Sequence, residues 1–206
     1  MNMKFYMAPG SCSTGIHILL EKLEKIFEAY IVNIPKGDNQ KPDYLSINPK
    51  GTIPTLVLED GTSLTEFQSI AYYLAISNPK AKLLPEDPLA ATKVIELMAY
   101  VLNTVHGQGF ARVFATENFM QEGSSEQAIK DKGMEIVNKG FVVINEHLIK
   151  YQVEGAPFNI ADAALFYVEF WADKLKIELP LHCQAHYARL REDRVIQSVL
   201  HEEGYY

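Results

Sequence analysis

The amino-acid sequence predicts an α/β domain at residues 1–82 and an all-helical domain at 89–206, joined by a linker at 83–88. Two patterns support this division. Short β-rich runs alternate with helical segments up to about residue 80, whereas beyond Pro88 the apolar residues recur at a helical period of about 3.6. The length of 206 residues allows one large domain or two small ones with ample core.

The predicted order of elements in the α/β domain is βαβαββα. Its second half carries the clearest signals. Asp60-Gly61 lies between two β-rich runs, which is typical of a hairpin. Thr65 follows the hairpin and is predicted to cap the next helix, because its hydroxyl can accept a hydrogen bond from the first turn. The predicted elements lie at 3–7, 13–23, 27–34, 42–46, 55–58, 63–64 and 66–77.

The second domain is predicted to contain helices only, with breaks at Gly123, Gly155 and Pro180. Asn159 followed by Asp162 is a capping signature, which we interpret as structural. The aromatic residues around Trp171 are predicted to lie in the core. The predicted helices lie near 89–117, 125–151, 160–173, 181–192 and 194–202.

Composition excludes several classes of partner. The net charge is −7 and no Lys/Arg-rich run is present, so nucleic acid and anionic membranes are poor partners. No apolar run approaches the roughly 20 residues that span a bilayer. The N-terminal segment is not apolar enough for a signal peptide. Cys12 and Cys183 are the only cysteines, too few for a disulfide framework, so we expect a cytoplasmic protein with both thiols free.

Cys12 is the first candidate for chemistry. It lies at a loop-to-helix junction, where unpaired N–H groups and the helix dipole favour a thiolate. The dipole supplies only about 0.3–1 kcal/mol, whereas lowering a thiol pKa by two units takes about 2.7 kcal/mol. Further hydrogen-bond donors are therefore required, and Ser11, Ser13, Tyr6 and His106 are candidates. A small buried structural cysteine remains an equally open interpretation.

Two more candidates lie in the α/β domain. Pro54 precedes a β-run after a turn that contains Gly51, so Ile53-Pro54 is a candidate cis bond that exposes the Ile53 backbone to an extended peptide. A trans proline at the start of a strand is the alternative. Glu66 opens a helix, and a helix N-terminus with an acid suits both charges of an α-amino acid end. An ordinary helix cap is the alternative there.

His106 is the candidate in the helical domain. It lies beside Gly107 and Gly109 within a long helical pattern. The glycines lower helix propensity by about 1 kcal/mol each and suggest a kink or the close approach of another segment. The histidine is suited to donate a hydrogen bond to a thiolate, but a structural histidine is an equally open interpretation.

Taken in order, these motifs resemble the cytosolic glutathione S-transferase family, and its bacterial beta class most closely. The resemblance spans nearly the whole chain, and its specificity lies in the order and spacing of the motifs. It implies a thioredoxin-like N-terminal domain followed by a helical domain. The motifs are Pro9-Gly10-Ser11-Cys12-Ser13, Asn48-Pro49-Lys50-Gly51-Thr52-Ile53-Pro54, Asp60-Gly61, Leu64-Thr65-Glu66, Val105-His106 and Phe158-Asn159-Ile160-Ala161-Asp162-Ala163.

The resemblance also implies roles for individual residues. Cys12 would lie against the glutathione sulfur, and His106 would line the sulfur and electrophile sites as the second catalytic residue. Phe67 stands where the family usually has Ser or Gly, which predicts a bulky ring at the glutamyl end. Glutathione is implied as co-substrate, with no metal and a homodimer. The implied glutathione-binding residues are Tyr6, Ser13, Lys36, Ile53, Pro54, Glu66 and Phe67.

Three functions follow from these observations. The leading one is a glutathione S-transferase that joins the glutathione thiol to small soft electrophiles in detoxification. The second is glutathione-dependent thiol–disulfide exchange through Cys12. It would be a monothiol route, because Gly15 occupies the place of a second cysteine three residues on. The third is a non-catalytic member of the family that acts as a binding or regulatory module.

Overall fold

The computed structural model describes residues 2–123, 125–151 and 156–205. The predicted breakpoint Gly155 lies outside the described residues. A four-stranded sheet has the strand order β2-β1-β3-β4, in which β1 is parallel to β2 and antiparallel to β3. The predicted order βαβαββα is confirmed. The strands are β1 Met3–Met7, β2 Phe27–Ile31, β3 Thr55–Val57 and β4 Ser63–Thr65, and the helices are α1 Ser13–Lys22, α2 Pro42–Leu45 and α3 Phe67–Ser77.

Strand β1 shows why the sheet has two unlike faces. Successive side chains of a strand point to opposite faces. Met3, Phe5 and Met7 are buried, whereas Lys4 and Tyr6 between them are only partly so. Helix α1 is buried over most of its length, from Ser13 to Leu20. The central strand and this helix therefore supply much of the core that holds the loop between them.

Two predicted boundaries are wrong. Strand β2 ends at Ile31 rather than at residue 34, and a 3₁₀ turn follows at Ile34–Lys36, since Pro35 has no N–H to donate to a strand ladder. Thr65 pairs with Thr55 in the sheet and does not cap α3. The residue at the cap is Glu66, with φ +68° and no capping bond from its side chain. Left-handed backbone at a residue other than glycine often marks a functional site.

The remaining helices agree closely with the predicted ones, and α4 begins with Pro88 at its first position, where the missing N–H costs nothing. The predicted first long helix is interrupted by ten residues of π-helix, Val101–Phe110, which contain His106. The α-helices are α4 Pro88–Tyr100, α5 Ala111–Phe114, α6 Glu126–Tyr151, α7 Ile160–Lys174, α8 Leu181–Arg191 and α9 Arg194–Glu202.

The π-helix packs closely against α6, as the glycines near His106 predicted. A Cβ atom on Gly109 would lie 2.7 Å from Val137 Cγ2. One on Gly133 would lie 2.8 Å from the Gly109 carbonyl oxygen, and one on Gly140 would lie 2.6 Å from Val105 Cγ2. Three glycines thus allow the two backbones to approach each other. Since π-helical turns are frequent at functional sites, the location of His106 here is notable.

Helix α7 is the core of the second half of the chain. Its residues from Ile160 to Ala172 are buried, which confirms the core prediction for Trp171. The predicted capping box is confirmed, because Asn159 and Asp162 exchange side-chain-to-backbone hydrogen bonds. Asp162 and Glu169 also bind the buried imidazole of His186 at 2.9 and 2.8 Å. Together the two carboxylates raise the pKa of His186 to about 10 against the effect of burial.

The chain forms two compact units. The second unit comprises residues 85–189, and the first comprises 1–84 together with 190–206. The first unit therefore includes α9, which the sequence grouped with the helical domain. Two polar contacts explain why α9 belongs there: Lys22 pairs with Asp193 at 2.7 Å, and His17 with Glu203 at 2.9 Å. No helix in the described ranges is both long and apolar enough to cross a membrane.

Candidate active site

The loop before α1 is held by a small hydroxyl network. The hydroxyl of Ser13 donates to the Ala8 carbonyl at 3.0 Å and accepts from the Ala8 N–H at 3.1 Å. It also lies 2.7 Å from the Ser11 hydroxyl. Ser13 has no exposed surface, so it contributes by holding the loop that carries Cys12.

A second set of contacts fixes the loop from the C-terminal segment. The N–H of Gly10, two residues before Cys12, donates to the Glu203 carboxylate at 2.7 Å. The same carboxylate accepts from the Thr14 hydroxyl at 2.7 Å. The Tyr205 hydroxyl donates to the Pro9 carbonyl at 3.4 Å. Residues far apart in sequence thus define the position of the thiol.

The Cys12 thiol donates a long hydrogen bond to the Ile53 carbonyl, with 3.7 Å between Sγ and oxygen. Burial raises the pKa of Cys12 to about 12, and the negative charge of Glu66 acts in the same direction. Hydrogen bonds from the N–H groups of Cys12 and Ser13 and from the Ser11 side chain lower the pKa. The helix end therefore favours the thiolate, as the sequence suggested, but burial outweighs it.

The protonation state limits what Cys12 can do. With a pKa of about 12, only about one thiol in 100,000 is ionised at pH 7. The thiolate is the nucleophilic form of cysteine. A protonated Cys12 can act as a hydrogen-bond donor, as it does toward the Ile53 carbonyl.

The loop before β3 presents Ile53. The peptide bond between Ile53 and Pro54 is cis, which confirms the sequence prediction. Asn48, which is fully buried, donates to the Thr52 carbonyl at 2.8 Å and to the Thr55 hydroxyl at 3.0 Å. Within the described residues, nothing accepts a hydrogen bond from the Ile53 N–H. One backbone donor is thus available to an extended ligand beside the thiol.

Glu66 already has a cationic partner. The Lys50 ammonium donates to the Glu66 carboxylate at 2.7 Å and to the Thr65 hydroxyl at 2.9 Å. Both side chains of the ion pair are about half exposed, at 51% and 58%. An exposed pair of this kind contributes about 0–1 kcal/mol, so an incoming ammonium group can compete with Lys50 for Glu66.

The side chain of Phe67 is not where the resemblance led us to expect it. The residue is only 5% exposed, so its ring is part of the core of the first unit. The prediction of a bulky ring at the glutamyl end is wrong. Phe67 is the first residue of α3, where a backbone N–H faces away from the helix ladder. Its side chain anchors the helix in the core of the first unit.

Tyr6 and Lys36 also belong to the first unit. Tyr6 stacks on Tyr30 with 4.9 Å between ring centroids, and no hydrogen bond in the described part of the chain joins it to Cys12. Burial and the nearby Glu28 raise the pKa of Tyr6. Lys36 ends the 3₁₀ turn, is exposed, and forms no ion pair with any residue that the structure describes.

His106 belongs to the second unit and lies in an aromatic cluster. Its Nδ1 is 3.0 Å from the Tyr167 hydroxyl, and its ring packs against Trp171 at 5.0 Å. Phe110 and Phe114 contact the same indole at 5.3 and 5.2 Å. Burial lowers the pKa of His106 to about 4, so the imidazole is neutral at pH 7.

Sequence reasoning missed three residues that shape the site. Lys50 and Asn48 were part of a recognised motif, and their positions beside Ile53 were a usable signal. Glu203 was missed for a different reason: it lies 193 positions from Gly10, and no local pattern indicates that contact.

Comparison with known proteins agrees with this geometry. The family model described as "Glutathione S-transferase, N-terminal domain" matches residues 10–75. Glutathione S-transferase GstA of Escherichia coli O157:H7 is 35% identical over 206 residues, covering 98% of this chain and 99% of that protein.

Two solved structures are similar over the full chain. A glutathione transferase homologue from Sulfitobacter, crystallised with bound glutathione, has a TM-score of 0.89 at 28% identity, covering 100% of this chain and 99% of that one. The bacterial beta-class glutathione S-transferase of Sphingomonas chungbukensis has a TM-score of 0.82 at 27% identity, covering 98% and 100%. The fold is that of these enzymes, a thioredoxin-like α/β sheet followed by helices. With a relative of 35% identity over nearly its whole length, this chain belongs to the glutathione S-transferase family.

Proposed function

We propose that this protein joins the thiol of glutathione to small soft electrophiles, with Cys12 acting as a neutral hydrogen-bond donor to the glutathione sulfur. The observation that carries the proposal is the thiol of Cys12, protonated and donating to the Ile53 carbonyl, in a chain of this family. A donor that is already protonated can stabilise a neighbouring thiolate without competing with it as a nucleophile.

In the proposed complex, glutathione binds along the first unit. Its cysteinyl part pairs with the Ile53 N–H beside Pro54. Its γ-glutamyl ammonium group replaces the Lys50 ammonium as the partner of the Glu66 carboxylate. Its α-carboxylate accepts a hydrogen bond from the backbone N–H of Phe67 at the start of α3. The exposed ammonium of Lys36 is proposed to meet the glycyl carboxylate. Ser13 contributes by holding the loop that carries Cys12, and Tyr6 contributes as a residue of the central strand β1.

The chemical step needs one proton transfer and one substitution. The glutathione thiol releases its proton to solvent, and its sulfur then forms a bond to the electrophile while the leaving group departs with its electron pair. Cys12 turns its S–H from the Ile53 carbonyl to the glutathione sulfur. A hydrogen bond to a charged group is worth about 1.5–3 kcal/mol, which is a pKa shift of one to two units.

His106 is proposed as the second catalytic residue, as the family resemblance implies. Its imidazole is neutral, so it has one N–H and one acceptor nitrogen. The Tyr167 hydroxyl, 3.0 Å from Nδ1, orients the ring and is able to donate to that nitrogen or to accept from it. The neighbouring rings of Phe110 and Phe114 offer an apolar surface for an electrophile.

The test compares the wild type with Cys12→Ala and Cys12→Ser. Ultraviolet titration measures the thiol pKa of bound glutathione, and a chromogenic chloronitrobenzene measures conjugation. We expect that glutathione ionises near neutral pH in the wild type and in Cys12→Ser, whose hydroxyl still donates. In Cys12→Ala we expect the pKa to rise by about one to two units and kcat/KM to fall about 10–100-fold.

Two outcomes would contradict the proposal. Loss of activity in Cys12→Ser together with efficient reduction of glutathione mixed disulfides by the wild type would indicate thiol–disulfide exchange, with Cys12 as nucleophile. Failure of the wild type to bind glutathione in a calorimetric titration would indicate a non-catalytic family member. The same titration on Cys12→Ala serves as the control, since the binding contacts proposed for Glu66 and Ile53 remain.

We also propose a homodimer in a reducing, cytoplasmic compartment. Tyr72 and Ile76 lie four residues apart on α3 and are 45% and 54% exposed, which leaves an apolar strip on that helix. Both cysteines are free thiols, as a reducing compartment requires. Analytical ultracentrifugation of the wild type and of Ile76→Lys tests the dimer, and a monomeric wild type would contradict it.

A further inference from the structure

We propose that His17, Glu21 and Glu202 form a binding site for a divalent transition-metal ion of the zinc class, in the first unit and apart from the proposed glutathione site. One ligand atom from each of the three residues lies within 4.8 Å of the other two. His17 and Glu21 are four residues apart on α1, so they share one face of the helix. Glu202 is the last residue of α9.

The orientation of His17 favours metal binding. Its side chain is 5% exposed, and its Nδ1 lies 2.9 Å from the buried Glu203 carboxylate. Glu203 accepts from Gly10 and Thr14 as well, so it is an acceptor fixed in place. The tautomer with its N–H on Nδ1 donates to this acceptor and presents the Nε2 lone pair to a metal ion. A carboxylate behind the imidazole is the arrangement that orients metal-binding histidines in proteins.

The Nε2 atom of His17 points toward the two other ligands. It lies 3.5 Å from the Glu202 carboxylate and makes no hydrogen bond within the described ranges. Bonds of about 2.05 Å in a tetrahedral site place neighbouring ligand atoms about 3.3 Å apart. The pair is therefore already near that spacing, and the longer separations close by rotation of the half-buried Glu21 and the exposed Glu202 side chains.

The surrounding electrostatics favour a cation. Glu21 and Glu202 both lie in the last turn of a helix, where the dipole disfavours negative charge and favours positive charge. The Glu203 carboxylate adds a third negative charge. Within the part of the chain that the structure describes, no Lys or Arg forms an ion pair with Glu21 or Glu202, and Ser198 is the hydrogen-bond donor to Glu202. A bound cation would relieve this repulsion.

The cluster opens onto a cavity of about 400 Å³, which gives an ion or a small ligand access to it. His17, Glu21, Glu202 and Glu203 all line it, as does Lys25, whose ammonium forms no ion pair there among the described residues. Three protein ligands leave one tetrahedral position for water or a small anion. One imidazole and two carboxylates suit Zn²⁺ better than Ca²⁺ or Mg²⁺, which prefer oxygen ligands alone.

The test titrates Zn²⁺ into the metal-free full chain by calorimetry. The variant is Glu21→Gln/Glu202→Gln, and the matched control is Glu59→Gln/Glu86→Gln, which removes the same two charges from exposed positions elsewhere. We expect one equivalent of Zn²⁺ to bind the wild type and the control. Affinity in the variant should fall by at least about 100-fold, since two ligands are lost. Circular dichroism checks that each protein is folded.

X-ray absorption at the zinc edge identifies the ligands. We expect nitrogen and oxygen neighbours only. Sulfur neighbours would place the ion on Cys12 or Cys183 and overturn the proposal. It would also be overturned if the wild type bound no Zn²⁺ at millimolar concentration, or if the variant bound as tightly as the control.

Discussion

The Sγ atom of Cys12 lies 3.7 Å from the carbonyl oxygen of Ile53 and donates to it. Among the residues that the structure describes, none accepts from the Ile53 N–H, and the weak S–H donor of Cys12 is the one that donates to its carbonyl. A peptide-like ligand that pairs with this carbonyl would replace the thiol there and release its S–H group. Binding of such a ligand and redirection of the Cys12 proton would therefore be coupled through one oxygen atom.

The first prediction concerns the reactivity of Cys12. Because its pKa is about 12, alkylation by iodoacetamide at pH 8 should be at least about 50-fold slower than that of an N-acetylcysteine reference. The rate should rise about tenfold per pH unit up to pH 10, because only the thiolate reacts. Mass spectrometry of the Cys12 peptide measures the rate, and a plateau between pH 7 and 8 would contradict the assignment.

The second prediction concerns Lys50 and Glu66. Glu66→Gln should weaken glutathione binding about tenfold or more, because the counter-charge for the ligand's ammonium group is lost. Lys50→Met should strengthen binding by up to about fivefold, since an exposed ion pair worth up to about 1 kcal/mol no longer has to be broken. Calorimetry measures both. The control is Lys93→Met, which removes the exposed ion pair with Glu96. Weaker glutathione binding in Lys50→Met would refute the competition between Lys50 and the ligand's ammonium group for Glu66.

The third prediction concerns pH. Burial lowers the pKa of His106 to about 4. Between about pH 4 and pH 6.5 the unfolded chain therefore binds more protons than the folded one. The contribution of this histidine to stability is complete above pH 6.5 and is lost as pH falls toward 4. Between pH 7 and 4.5, urea unfolding should show a loss about 2 kcal/mol larger in the wild type than in His106→Gln. The exposed His182→Gln is the control and should keep the wild-type loss.

The fourth prediction concerns the packing of the π-helix. Gly133→Ala places a Cβ atom 2.8 Å from the Gly109 carbonyl oxygen. We expect a loss of about 1–3 kcal/mol in the free energy of unfolding, in spite of a gain in helix propensity of up to about 1 kcal/mol. Asn138→Ala on the exposed face of α6 is the control and should be neutral or stabilising. Equal stability of the two variants would show that the two backbones can separate at little cost.

Local signals predicted most of the elements. The Asp60-Gly61 pair was sufficient to predict the hairpin. The capping box at Asn159 and Asp162 predicted the start of α7 correctly. Thr65 failed as a cap because cross-strand pairing with Thr55 extends the sheet by one residue, a tertiary effect that no window around Thr65 contains. The π-helical turns likewise pack closely against α6, a contact that no local window of sequence contains.

The site was less predictable than the fold. The motif around Cys12 left a reactive thiol and a buried structural cysteine equally open, because the sign of the pKa shift depends on burial, which the sequence does not reveal. Phe67 shows the same limit, because helical periodicity did not decide whether its ring faces the core or the ligand. The pairing of Glu66 with Lys50 joins two motifs that were recognised separately.

The hydrogen bond between Gly10 and Glu203 has a consequence for how the chain reaches its folded state. Closing a loop of 193 residues costs about 5 kcal/mol in chain entropy by the logarithmic law, before any contact is gained. Ordering of residues 85–189 before that closure would shorten the flexible part of the loop and reduce the cost. Long-range contacts of this kind slow folding, so the segment around the thiol is expected to be among the last to become ordered.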